Sequence, residues 1–347
     1  MFFKHQARAS SNFSHTRNSA TLCCGLILLA SMLFASCGGT TTASGTPTPT
    51  AKGNVSVLYA GSLVNLMEKK IGPAFTQATG YPFQGEGKGS SALANEIKGH
   101  LRTPDIFISA SAAVDKSLMG SANGNYVSWY ATFTRTEMVI GYSPQSKFAA
   151  DFQATANGTK SWYSVLQEPG MRIGRTDPAL DPKGIFTIIL MELAEQYYHQ
   201  PGLTTKILGS NNNTSQIFPE EELVARLGSG QLDAGFFYLN EVKDQNLPYV
   251  TLPSQINLSD PSMNSAYAKA SYTDPKTSKK TVGAAIAYTI TIPSTSKNTA
   301  GAIAFANFLL SSQGQAILMA GGLLQTNFVL NGDSSKVPSQ LQQYFHT

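Results

Sequence analysis

Residues 55–70, VSVLYAGSLVNLMEKK, pass from a strand pattern to a helix pattern within one tripeptide, and no other segment constrains the fold as much. Val55, Val57 and Tyr59 alternate with less committed residues, which predicts a short buried strand. Leu63, Leu66, Met67 and Ile71 then recur at helical spacing with Glu68, Lys69 and Lys70 opposite, so the chain turns through Ala60-Gly61-Ser62. A corner of this kind leaves backbone N–H groups unpartnered at the positive end of a helix, beside a hydroxyl. Ser62 there either caps the helix or, with the free amides, receives an anion.

Similar corners recur. GEGKGSS over residues 85–91 opens onto a helix with Leu93, Ile97 and Leu101 on one face. Its glycines match neither the dinucleotide spacing nor a Gly-Lys-Ser/Thr ending, so it reads as a flexible approach to a helix start through Ser90 and Ser91. The loop RTDPALDPKG, residues 175–184, precedes a long apolar helix, and Asp181-Pro182 is a strong start signal: a carboxylate cap with proline in the first turn. The DAGFFY strand ends at Tyr238, on the side of an α/β sheet where ligands gather. Glu220, Glu221 and Glu222 crowd another helix start and read as a solvated, dipole-matched face. From Asn54 onward strands and helices alternate, the pattern of an α/β fold with a largely parallel sheet. Two long extended runs, over 132–142 and 283–293, are candidates for crossings between two lobes.

The N-terminus reads as an address. Lys4, Arg8 and Arg17 precede an apolar run over residues 20–34, and Ala35-Ser36-Cys37 follows, the pattern of a lipoprotein signal in which Cys37 becomes the lipidated first residue. Residues 1–36 are therefore expected to be removed, and 37–53, rich in Thr, Ser, Gly and Pro, to form a flexible tether. All 3 cysteines lie in this leader, so the folded part offers neither a disulfide nor a thiolate site. Of the 25 basic residues three also lie there, which leaves the remainder near neutrality against 21 acidic ones. Nothing in that balance favours nucleic acid. Beyond the leader only His100, His199 and His346 remain, with no nucleophile elbow, His-Glu-x-x-His or calcium loop, so catalysis has no positive support.

In order and spacing, AGSL (60–63), GSSAL (89–93), PDIFISAS (104–111), WY-x-x-F (129–133), DPKG (181–184), GQLDAGFFY (230–238) and TITIP (289–293) resemble the substrate-binding proteins of molybdate/tungstate importers, most closely the archaeal-type branch. The resemblance implies a two-lobed type II periplasmic-binding-protein fold with two crossover hinge strands: residues 54–134 and 290–347 as lobe 1, 135–289 as lobe 2. It implies that the ligand is molybdate or tungstate, that no cofactor is needed, and that the partners are an ABC permease with its ATPase, with the chain itself a monomer. Carried over by position, the oxyanion would be held by Gly61 and Ser62, by Ser90 or Ser91, by the helix start at Asp181, Pro182 and Lys183, and by Tyr238. The archaeal-type branch adds two carboxylates, one aligned with Asp181 and one in a Phe-Glu-Tyr triplet. Here that triplet is Phe236-Phe237-Tyr238, so the expectation is a tetrahedral dianion on neutral donors. Phosphate or sulfate as the ligand, and a hydrolase or a surface interaction module on the same scaffold, stay as alternatives.

Overall fold

The structure is a computed structural model describing residues 52–345; the signal segment and Cys37 lie outside the described residues. In chain order its strands are β1 (Val55–Ala60), β2 (Phe83–Lys88), β3 (Ile106–Ser109), β4 (Trp129–Arg135), β5 (Met138–Tyr142), β6 (Ile173–Gly174), β7 (Ala234–Tyr238), β8 (Tyr249–Val250), β9 (Ser271–Thr273), β10 (Lys280–Val282), β11 (Ala287–Thr291) and β12 (Val329–Gly332). One sheet runs β12-β4-β11-β3-β1-β2, a second runs β6-β7-β5-β8, and β9 pairs with β10 as a separate hairpin.

β1 is parallel to both its neighbours, β2 and β3, but β11 pairs antiparallel with β3 and β4, β12 with β4, and β5 with β7 and β8, so the sheets are mixed rather than largely parallel as the alternation suggested. A parallel strand is covered by helices on both faces, so apolar residues are required on each side. Leu58 accordingly packs with Leu93, Ile97 and Phe107, whereas Val57 and Tyr59 join the cluster that holds Phe75 and Phe305. Phe75 and Phe305 meet edge to face at 5.0 Å between centroids. Each such side chain, taken fully out of water, contributes about 1.5–3 kcal/mol.

The chain crosses from one sheet to the other between β4 and β5. The run expected to be continuous over 132–142 is two strands, because Thr136 and Glu137 must leave one ladder before Met138 can enter the other. Thr136 is held there by its N–H, which donates to the Ile286 carbonyl at 3.3 Å, and by its hydroxyl, which donates to Asn240 Oδ1 at 3.0 Å. On the return only β11 of the 283–293 run is strand, and Ile286 N–H donates instead to the Leu258 carbonyl at 2.9 Å. The two crossings thus lie side by side. The register of β11 against β4 shifts between Tyr288 and Thr289, an irregularity of the sort that re-aims a side chain.

Two helix starts settle differently. Asp181 caps the helix Pro182–Tyr198 as expected, its side chain accepting from Lys183 N–H at 2.5 Å. Ser62 does not cap: Gly61–Leu63 is a 3-10 turn preceded by Ala60, with no side-chain cap, and a wider π turn at Met67–Ile71 intervenes before regular helix at Gly72–Thr79. The Ser62 hydroxyl is thereby left for other partners.

Candidate functional site

Where the two sheets face each other, the loop after β1, the start of the helix Ser90–Lys98, the start of the helix Pro182–Tyr198, the start of the helix Glu220–Gly228, the end of β7 and β11 meet. The contacts form a chain. Ser62 Oγ lies 2.8 Å from the Tyr288 hydroxyl, and the Tyr288 ring stands edge-on to Tyr238 at 6.1 Å. Lys183 Nζ sits 5.4 Å above the Tyr238 ring, 2.7 Å from Glu241 Oε1 and 3.4 Å from Glu220 Oε1. Glu220 in turn packs against Gly61, where a methyl group would stand 2.7 Å from its Oε2. At Gly89 a methyl group would stand 2.5 Å from the Leu180 carbonyl oxygen and 3.2 Å from Asp181 Cβ. These two glycines are what let the bodies approach, since any side chain would hold the backbones apart.

The meeting is closed and buried. Asn240 Nδ2 donates to the Ser62 carbonyl at 2.9 Å, Ala92 N–H donates to the Leu180 carbonyl at 3.0 Å, and Lys70 Nζ reaches Asp244 Oδ1 at 2.6 Å. Asn65 bonds to the other oxygen of Asp244. Ser62, Ser90, Asp181, Lys183, Glu220, Tyr238 and Tyr288 are all buried. A cavity of about 150 Å³ is lined by Gly61, Ser62, Glu220, Asn240 and Glu241, and another of about 320 Å³ by Gly89, Thr176, Asp181 and Glu220. Glu220 borders both.

Buried polar atoms are nearly always hydrogen-bonded, so exceptions at one place mark a function. Here the Tyr238 hydroxyl, Thr176 Oγ1, Asp181 Oδ2 and both oxygens of Glu220 have no hydrogen-bond partner among the described residues. The carboxyls of Asp181 and Glu220 lie within reach of one another, but two ionised acids are both acceptors, and the contact becomes a hydrogen bond only when one carries a proton. Burial raises Glu220 well above its ordinary value, and the Asp181 charge adds to it. Burial likewise raises Asp181 and Glu241. Burial alone would lower Lys183, but Glu241, Glu220 and Asp181 together outweigh it and hold the ammonium above its usual range. Tyr238 and Tyr288, buried, stay neutral far above pH 10. Their hydroxyls therefore keep a proton that they can donate.

Of the sequence-derived candidates, Gly61, Ser62, Asp181, Lys183 and Tyr238 come together. Ser90 is fully buried nearby, its Oγ accepting from Ala110 N–H at 3.1 Å. Ser91 and Pro182 face a different cavity, of about 210 Å³, with Phe186 and Tyr272. The expectation of neutral donors alone does not describe this cluster, which holds three acids and a lysine. Sequence reading also placed Glu220 on a solvated face, whereas it is 4% exposed; only Glu221 and Glu222 face solvent. Its signal was slight: it is the first helical residue after Pro219, so its direction differs from that of its neighbours. Glu241, Asn240 and Tyr288 were missed outright. Each looked like an ordinary helix or strand residue, and only the packing of the two bodies turns it inward.

Comparison with known proteins gives a consistent picture. The sequence profile described as bacterial extracellular solute-binding protein matches residues 55–324. A solute-binding protein of Petrotoga mobilis is 32% identical over 84% of this chain and 90% of its own length. The molybdate/tungstate-binding protein WtpA of Pyrococcus abyssi is 29% identical over 76% of this chain and 80% of its own. Among solved structures the periplasmic molybdate-binding protein of Azotobacter vinelandii superposes with a TM-score of 0.57 at 16% identity, over 79% of this chain and 100% of its own, a likeness of fold.

Proposed function

Since the chain belongs to the bacterial extracellular solute-binding proteins, we propose that it captures molybdate or tungstate outside the cytoplasmic membrane and hands it to an ABC permease, held at the surface by a lipid on Cys37. The observation that carries the reading is the convergence of buried oxygens that accept or donate no hydrogen bond among the described residues, Thr176 Oγ1, Asp181 Oδ2, both oxygens of Glu220 and the Tyr238 hydroxyl, beside Ser62 and the helix starts. Closure of the two bodies removes water from the anion and replaces it with fixed donors: the hydroxyls of Ser62 and Tyr238, amides at the helix starts, the Lys183 ammonium, and Glu220 while it keeps its proton. Charge-assisted hydrogen bonds of about 1.5–3 kcal/mol each, set against the ordering costs of closure, support tight binding. Donors fixed on rigid elements also favour the larger molybdate over sulfate, whose shorter bonds leave them stretched. In this role the protein carries a solute and performs no reaction.

A second reading, hydrogen phosphate as ligand, draws on the unpartnered Asp181 Oδ2, which could accept the ligand's proton. Calorimetric titration with molybdate, tungstate, sulfate and phosphate decides. Heat with the first two supports the proposal; its absence ends it. Phosphate binding that disappears in Asp181→Asn, while molybdate binding survives, would favour the second reading.

A further inference from the structure

The cavity that Ser91 and Pro182 face has no part in the reading above. One wall comes from the first body, along the helix Ser90–Lys98 and the turn at Ser111; the other comes from the second, along Ile185 and Phe186 of the long helix and the β9–β10 hairpin with its turn. Phe186 and Tyr272 give it an apolar side. Lys98, from the first body, and Lys279, from the second, give it a cationic one. Neither lysine forms an ion pair with a carboxylate among the described residues, although Lys88, Arg102, Lys160 and Arg172 all do. Among the described residues the only hydrogen bond of Lys279 Nζ is to the Ala113 carbonyl, across the gap, at 3.5 Å. Asp274 also lines the cavity, but its carboxylate accepts from Lys276 and Thr277 N–H groups at 2.7 and 2.9 Å and shapes the hairpin turn.

Lys98 and Lys279 outnumber the one carboxylate in the cavity, Asp274, so closure of the bodies, which brings the two ammonium groups together, leaves an excess of positive charge there. Lys98 is lowered by its burial and further by the charge of Lys279, as two facing cations require. The lining is mixed, with Ser91, Asn95, Ser111 and Thr281 beside the lysines and with Phe186, Tyr272 and Ile185 opposite, so it offers both hydrogen-bonding groups and an apolar face to one ligand. We propose that this cavity binds a small organic anion, a carboxylate-bearing molecule with a flat apolar body, which neutralises Lys98 and Lys279, packs against Phe186 and Tyr272, and, by touching both bodies, stabilises the closed form. Because the oxyanion is also held by the closed form, the two ligands strengthen each other's binding reciprocally. The coupling half of the inference rests on the oxyanion reading; the site itself does not.

The test uses the mature protein and a panel of phthalate, salicylate and citrate, titrated calorimetrically at millimolar concentration with and without saturating molybdate. The expected result is one-to-one binding of phthalate, tighter with molybdate present, and a reciprocal several-fold tightening of molybdate by phthalate. Lys98→Gln and Lys279→Gln should each abolish phthalate binding and leave molybdate affinity in the absence of phthalate no weaker than in the wild type, because each removes one of the cations that closure brings together. No heat from any of the three anions, or phthalate binding that survives both substitutions, overturns the proposal. Equal binding of sulfate or inorganic phosphate at the same lysines overturns the organic class. If molybdate gives no heat but phthalate binding depends on the lysines, the oxyanion reading fails and the site stands.

Discussion

Replacing Lys183 with methionine separates the charge of the buried cluster from its packing. The Lys183 side chain is wholly buried, with Nζ 2.7 Å from Glu241 Oε1 and 3.4 Å from Glu220 Oε1. Methionine keeps most of the apolar stem and removes only the cation. Breaking a buried ion pair on one side costs about 3–5 kcal/mol, because the remaining charge is left without water or partner. Part of that cost is relieved when the orphaned acids take up protons. Glu220, Glu241 and Asp181 are already raised by burial, and losing Lys183 raises them further. An acid with a folded value above its unfolded one contributes stability fully below the unfolded value, 4.5 for glutamate, and loses it as pH rises through the folded one. The deficit of Lys183→Met is therefore smallest near pH 4.5 and below, and grows as pH rises above it. Urea unfolding of the ligand-free protein, followed by circular dichroism across that range, measures it as a fall in midpoint at constant slope. A cost under about 1 kcal/mol at the alkaline end, or one that does not change with pH, would mean that Lys183 does not hold these acids in their ionised form.

The same pKa directions predict that the wild-type protein binds molybdate more tightly as pH falls, read by calorimetry in a series of buffers, while a flat profile would mean the acids do not titrate with closure. Tyr238→Phe removes one oxygen that makes no hydrogen bond among the described residues, so stability should stay within about 0.5 kcal/mol while oxyanion affinity drops about tenfold or more; the reverse pattern would make the hydroxyl structural. Asp244→Asn disrupts the contact that Lys70 and Asn65 make across the cleft, and should speed ligand release several-fold in stopped-flow fluorescence without slowing association. Gly89→Ala places a methyl group 2.5 Å from the Leu180 carbonyl and should hold the bodies open, seen as a larger radius of gyration in solution scattering and a loss of binding with the fold intact.

Several parts of this protein follow from its sequence alone. The alternation of Val55, Val57 and Tyr59, the helical recurrence after Leu63, and the Asp181-Pro182 start are local patterns, set by side-chain periodicity and by which backbone N–H groups a helix leaves free, so they are legible without a fold. Those patterns marked the corners at Gly61, Ser62 and Asp181, and the order of motifs pointed to the family. Which groups share the site was decided only when two sheets closed on each other. Glu220 and Glu221 are adjacent and chemically identical, yet one is buried against Asp181 and Lys183 and the other faces water, because a helix start turns successive residues in different directions and only the packed neighbour says which is inward. Tyr288 is one aromatic among many until the register shift on β11 points its hydroxyl at Ser62, 226 residues earlier. Ser90 and Ser91 are separated in the same way, one into the core and one into a cavity between the bodies. Local chemistry names the candidates for a site; long-range packing, which no short window of sequence contains, fixes which of them lose their water together.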